Sequence, residues 1–243
     1  HRDLHSFPTR RSSDLVIVYD YDQSMLVWRD LPNPSHHVVQ QDLQKYRKLG
    51  ILGIDTESRG ATATTFLNLY FRGQLMWNPD LDVAAELQDF YPKFFGPVAI
   101  PMKGYWGEIF QAWKETSVFE HEYFVIPYVY TLERVEKLKG WLTLTTATRV
   151  EGLYAQRLRF VQLSFDLIRG YTQQLEAESR CEYGQAIEAG RQALRQRELL
   201  TEMNPTFTTY RNMPESGPAF WPGELDAPSR PRNLGHPADR QEA

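Results

Sequence analysis

Four acids stand in two short clusters in the first quarter of the chain: Asp20 and Asp22 after one apolar run, Asp55 and Glu57 after another. In an extended segment residues i and i+2 share a face, so Asp20 aligns with Asp22 and Asp55 with Glu57. If the two segments are neighbouring strands, their acids lie about 5–10 Å apart, one or two strand spacings. Cleavage of a glycosidic bond uses that separation. One carboxyl must be protonated to donate to the departing oxygen, while the other stays ionised to act as nucleophile or to activate water. Tyr19, Tyr21, Trp28 and Trp77 offer apolar faces for a sugar ring, and Arg59 can hold a substrate carboxylate in a bidentate pair. Glycosidase chemistry of this kind calls for no cofactor and no metal, and none is expected. The same residues also have a plainer reading. Asp at a strand end forms turns or caps helices, and Glu57 with Arg59 makes a surface ion pair.

Other reactive residue types form weaker patterns. His36 and His37 are adjacent rather than four apart, so they do not face one metal from a helix, and solvated or structural histidines are expected. His121-Glu122 lacks the second histidine of a zinc helix. Cys181 has no cysteine to pair with, and a lone thiol in a helical stretch is expected to be a small packed or half-exposed side chain rather than a nucleophile. The chain has no glycine-rich phosphate loop and no Gly-x-Ser-x-Gly elbow.

The acids need a scaffold, and the apolar pattern supplies one. Val16–Asp20 is a β-branched run expected to be a strand covered on both faces. Ser35 is the expected N-cap of a helix whose face carries Val39, Leu43, Tyr46 and Leu49, and Gly50 stops it. Ile51–Asp55 is the next buried strand, so residues 16–57 form a strand–helix–strand unit, which requires parallel strands. From residue 60 onward the pattern is helical. Stripes run through Phe66 to Trp77, Val83 to Phe94, Met102 to Trp113 and Leu132 to Leu142; two more run through Val150 to Ile168 and Tyr183 to Leu194. The last 31 residues hold six of the chain's 15 prolines and few aliphatics, the composition of a disordered tail.

The chain has 243 residues, 42% hydrophobic and 13% aromatic, enough for a sizeable core or a partial domain with a smaller one. With 27 Lys and Arg against 31 Asp and Glu, it has no basic field to attract nucleic acid. No apolar run is long enough to span a bilayer, so no membrane is expected either. Residues 5–15, HSFPTRRSSDL, look like a translated sequencing adapter, so residues 1–15 are set apart as non-native and whatever preceded the first strand is expected to be missing. The compartment is not legible in the chain. A parent that acts on polysaccharide is expected to be exported, to the periplasm or beyond the cell.

The order VIVYDYD, DLQKYRKLGILGIDTES, FLNLYFRGQLMWNPDLDV and ELQDFYPKFFGPVAIPMKGYW resembles the C-terminal half of domain of unknown function 4838, over about residues 16–145. That mostly bacterial family is similar to the barrel glycoside hydrolases, with the α-glucuronidases of glycoside hydrolase family 67 as distant relatives. The resemblance implies an α/β fold: the C-terminal part of a (β/α)8-type barrel, followed by an all-helical region and a disordered tail. The expected parts are the end of the barrel over 16–78, a helical domain over 79–212 and the tail over 213–243. It also implies a glycoside hydrolase acting on poly- or oligosaccharides, acidic sugars included, with Glu57 as the residue to carry over and Asp20 and Asp22 at the preceding strand end. The proton donor would come from an earlier strand, so this piece alone is expected to be inactive. A carbohydrate-binding or scaffolding protein that keeps the cleft without turnover is the alternative. A helical interaction protein whose two strands pair elsewhere is a third reading.

Overall fold

The computed structural model describes residues 16–21, 30–57, 61–118 and 122–208, without the side chains of Tyr21, Glu57 and residues 122–124. The adapter-like segment and the tail over 213–243 lie outside the described residues. What is described is mostly helical, with a small α/β part at its start: β1 (Ile17–Tyr21), α1 (His36–Lys48), β2 (Gly53–Glu57) and α2 (Thr62–Trp77). Helices α3 (Val83–Phe95), α4 (Ala99–Glu115), α5 (Glu122–Val129), α6 (Leu132–Thr145), α7 (Gly152–Ser179) and α8 (Tyr183–Met203) follow.

β1 and β2 are parallel neighbours, with Ile17 opposite Gly53 and Tyr21 opposite Glu57. The expected strand–helix–strand unit therefore forms, and the two strands pair with each other. Its strands start and end slightly later than the apolar runs suggest, so Glu57, like Asp20 and Asp55, is a strand residue itself. The expectation of strands covered on both faces is corrected. Val18, Asp20, Ile54 and Thr56 are half-buried, whereas Ile17 is 60% and Tyr19 56% exposed. The helices cover one face of the pair only. No full barrel is formed by the described residues.

Gly50, at φ +72°, ends α1 as expected, with its N–H bonded to the Arg47 carbonyl. Ser35 does occupy the N-cap, but its hydroxyl makes no capping bond. Its backbone N–H is taken instead by the Asn68 side chain of α2, at 3.2 Å. Leu49, placed on the helix's apolar face by spacing, lies beyond the last turn and is exposed. α5 was not marked by any stripe: it is short, apolar all round and contains Pro127.

The helices share one core. Phe66, Phe90 and Phe94 stack, the Phe94 ring 5.3 Å from Phe66 and 4.8 Å from Phe90, and Trp106 and Phe160 meet Phe66 edge-on. Arg157 of α7 lies 4.2 Å over the Phe94 ring and donates to the Lys93 and Phe94 carbonyls, closing the C-terminus of α3. α7 and α8 pack closely because Gly170 faces Ala193; a Cβ on Gly170 would stand 2.9 Å from the Ala193 Cβ.

The segment from Asp30 to Ser35 joins the two parts. Arg197 of α8 donates from Nε to Asp30 Oδ2 at 2.7 Å, and both side chains are withdrawn from solvent, at 4% and 0% exposure. The Pro32 carbonyl accepts from Trp113 Nε1 at 3.0 Å and from the Tyr130 hydroxyl, while Asn68 donates to the Asn33 carbonyl. Removing one member of a buried pair strands the other's charge, which costs about 3–5 kcal/mol. Arg197→Met should lower the unfolding free energy by that amount in urea titration. A loss under 1 kcal/mol would mean that the pair does not hold the segment.

Candidate functional site

Register decides which acids meet. Asp20 lies opposite Thr56 and Tyr19 opposite Asp55, so Asp20 is on the face turned to α2 while Asp55 points from the exposed face. The structure does not bring those two carboxylates together. Glu57 is paired with Tyr21 in the register, and both side chains lie outside the described set. Asp22, Trp28 and Arg59 fall among residues that are not described.

Asp20 is held by a residue that sequence patterning passed over. Arg72 of α2 donates from Nη1 to Asp20 Oδ2 at 2.8 Å and to Thr56 Oγ1 at 2.7 Å, tying the two strands' last residues but one to the helix behind them. The Arg72 side chain is 7% exposed and that of Asp20 39%, so a buried cation orients a carboxylate that still reaches solvent. Arg72 Nε is buried and makes no bond. Its guanidinium is thus committed through one nitrogen to the strand pair. Arg72 sits within the expected helix from Phe66 to Trp77, one position past the buried Phe71, where a charge would ordinarily face water. A charge beside an aromatic on an apolar face is the one signal that could have found it.

Trp77 is at the other end of the unit. α1 and α2 run side by side in the same direction, with His36 at the start of α1 against Phe71 in the second half of α2. Arg47, in the last turn of α1, makes a forked pair with Asp80 just beyond α2, at 2.7 and 3.0 Å. That last turn leads into the start of β2, so the C-terminus of α2 lies toward the N-terminal ends of the strands. Trp77 is 90% exposed there, away from Asp20.

Backbone strain marks the connection after β2. Ala61 adopts φ +75° and ψ +38°, a left-handed conformation costing an L-residue about 1–2 kcal/mol. Its carbonyl repays the geometry by accepting from the backbone and hydroxyl groups of both Thr64 and Thr65. The strained residue and Asp30, at φ +56°, thus stand at the ends of the two loops that leave the C-terminal edges of the strands.

The other patterned residues are structural or solvated. His36 is buried against Phe71 and Phe110, and Cys181 is exposed at the turn between α7 and α8. Among the described residues no cluster of His, Cys, Asp or Glu is arranged to hold a metal ion, and no helix is long and apolar enough to cross a membrane.

Arg72→Met removes two charge-assisted bonds, each worth about 1.5–3 kcal/mol, and exposes no new surface. Urea unfolding should show a loss of that order. Arg72→Lys should recover part of it, because one nitrogen makes both bonds. Equal losses in the two variants would count against this geometry.

Residues 11–106 match the model of the family described as domain of unknown function (DUF4838). The matched segment runs from before β1 into α4, ending short of residue 145, where the resemblance by motif ends. No curated protein and no solved structure matches the chain.

Proposed function

We propose that this chain, whose residues 11–106 match the DUF4838 model, supplies the last β/α units of a (β/α)8-type glycoside hydrolase and the helical domain behind them. The substrates are poly- or oligosaccharides, acidic sugars included. The observation that carries the reading is the parallel pair of β1 and β2, which ends in the acids Asp20, Asp55 and Glu57 and leaves the face away from α2 open. In parallel β/α folds the groups that react with substrate gather at those strand ends. Asp20 is tied to Arg72 on the helix side of the pair and positions the strand ends. Glu57, carried at the end of β2, is the water-activating or nucleophilic carboxylate on this reading, and Arg59 a contact to a substrate carboxylate. The proton donor comes from another strand of the barrel.

The open sheet face supports the barrel. Ile17, Tyr19 and Leu52 are exposed on or beside a two-stranded parallel sheet, an arrangement that elsewhere is covered on both sides and flanked by further strands. The chain by itself should self-associate through that face. Light scattering after size exclusion should show larger species whose share falls on Tyr19→Lys. A clean monomer before the substitution would argue that nothing is meant to cover the sheet.

One observation favours the binding or scaffolding alternative: Asp20 and Asp55 point from opposite faces, so the described acids form no catalytic pair. Sugar release from a glycan panel separates the two, using protein from the complete natural gene. Glu57→Gln should lower turnover by about 100- to 10,000-fold with glycan binding kept. Binding without release in the unaltered protein would favour the alternative.

A further inference from the structure

His36 is the first residue of α1 and only 8% exposed. Its ring meets Phe110 of α4 edge-on, with centroids 4.7 Å apart, and lies 5.1 Å from the Phe71 ring of α2. Its Nδ1 is buried with no hydrogen-bond partner, so a proton placed there would find no acceptor in reach. Among the described residues, the charged and titratable groups around it oppose a second proton or are engaged elsewhere. On its own helix His37 lies 5.7 Å away, ring to ring. From α4, Lys114 acts on His37 in the same unfavourable sense. On α2 the charged neighbour of Phe71 is Arg72, which is turned to Asp20 and Thr56. The first turn of a helix adds the positive end of its dipole.

We propose that His36 is an acid-sensitive latch: its neutral ring keeps residues 33–40, the exit of the β1–α1 loop and the first turn of α1, docked on α2 and α4, and its protonation releases them. The segment is otherwise held there by Asn68, which bonds both Ser35 and Asn33, and at its far end by Gln40, which donates to the Leu81 carbonyl. The latch rests on the fold alone and does not depend on what the protein turns over.

Burial first, and His37 second, lower the His36 pKa from 6.5 to about 4. The released ring, at its ordinary value, therefore binds a proton about 300-fold more tightly than the docked one. Because the released state holds more protons between these two values, docking is complete above about pH 6.5 and weakens as pH falls toward about 4.

Amide hydrogen exchange at about pH 5 and about pH 7.5, corrected for intrinsic rates, tests this on the chain as it stands. The opening constant of residues 33–40 should be about 30-fold larger at the lower pH, with α7 and α8 unchanged. His36→Phe fills the aromatic site without titrating and should remove the pH dependence, whereas His37→Gln should keep it. If His36→Phe fails to fold, the imidazole resonances of the natural chain decide. A His36 that stays neutral to below about pH 5 and protonates together with loss of protection at 33–40 supports the latch. The idea fails if the pH dependence persists in His36→Phe, if His36 titrates near its ordinary value with the segment still protected, or if protection is lost uniformly along the chain.

Discussion

The fold turns on a buried ion pair between residues 167 positions apart, Arg197 of α8 and Asp30 at the exit of the β1 loop. Two desolvated charges stabilise a fold only when geometry satisfies both. Here the carboxylate enters a site walled by helices, and the chain after it is fixed at each residue that matters: Pro32 by Trp113 and Tyr130, Asn33 and Ser35 by Asn68. The last long helix thereby sets where the first helix begins. α1 in turn delivers the chain to β2, so the register of the strand pair depends on a contact made at the far end of the sequence.

That dependence joins a small α/β unit to a helical body whose packing is of another kind. The body is held by aromatic rings around Phe66 and by the close approach of α7 to α8 at Gly170, both indifferent to charge. The α/β unit joins that core through Val39, Leu43, Leu67 and Phe71 and adds polar ties: Arg72 to Asp20 and Thr56, Gln40 and Gln44 to the turn after α2, Arg47 to Asp80. Polar ties are geometrically specific, so they orient a carboxylate well; the buried Arg72 tie is costly to break, whereas the exposed Arg47–Asp80 pair adds little net stability. The open face of the sheet, with Ile17 and Tyr19 in solvent, belongs to the same unit.

His36 lies where the two kinds of packing meet. An imidazole among rings behaves as an aromatic while neutral and as a buried charge once protonated. Its place at the start of α1 couples the solvent's acidity to the segment that Asp30 and Asn68 hold.

Much of the fold was legible in the sequence. The period of apolar residues marked α2, α3, α4, α6, α7 and α8, and Gly50 marked the end of α1, because helical spacing and a left-handed turn are local properties. Two apolar runs around one helix required a parallel pair, and the order of motifs pointed to the family that residues 11–106 match. Face and partner are not local. Whether Asp20 stands beside Asp55 or beside Thr56 is a matter of register, and a shift of one residue reverses every side chain. Arg72 was passed over because its partners lie 52 and 16 residues before it. The sequence by itself determined which segments are helix and strand and where acids cluster. Only the tertiary structure decided which acid is held, by which cation and on which face, since those are distances between residues that chain proximity does not constrain.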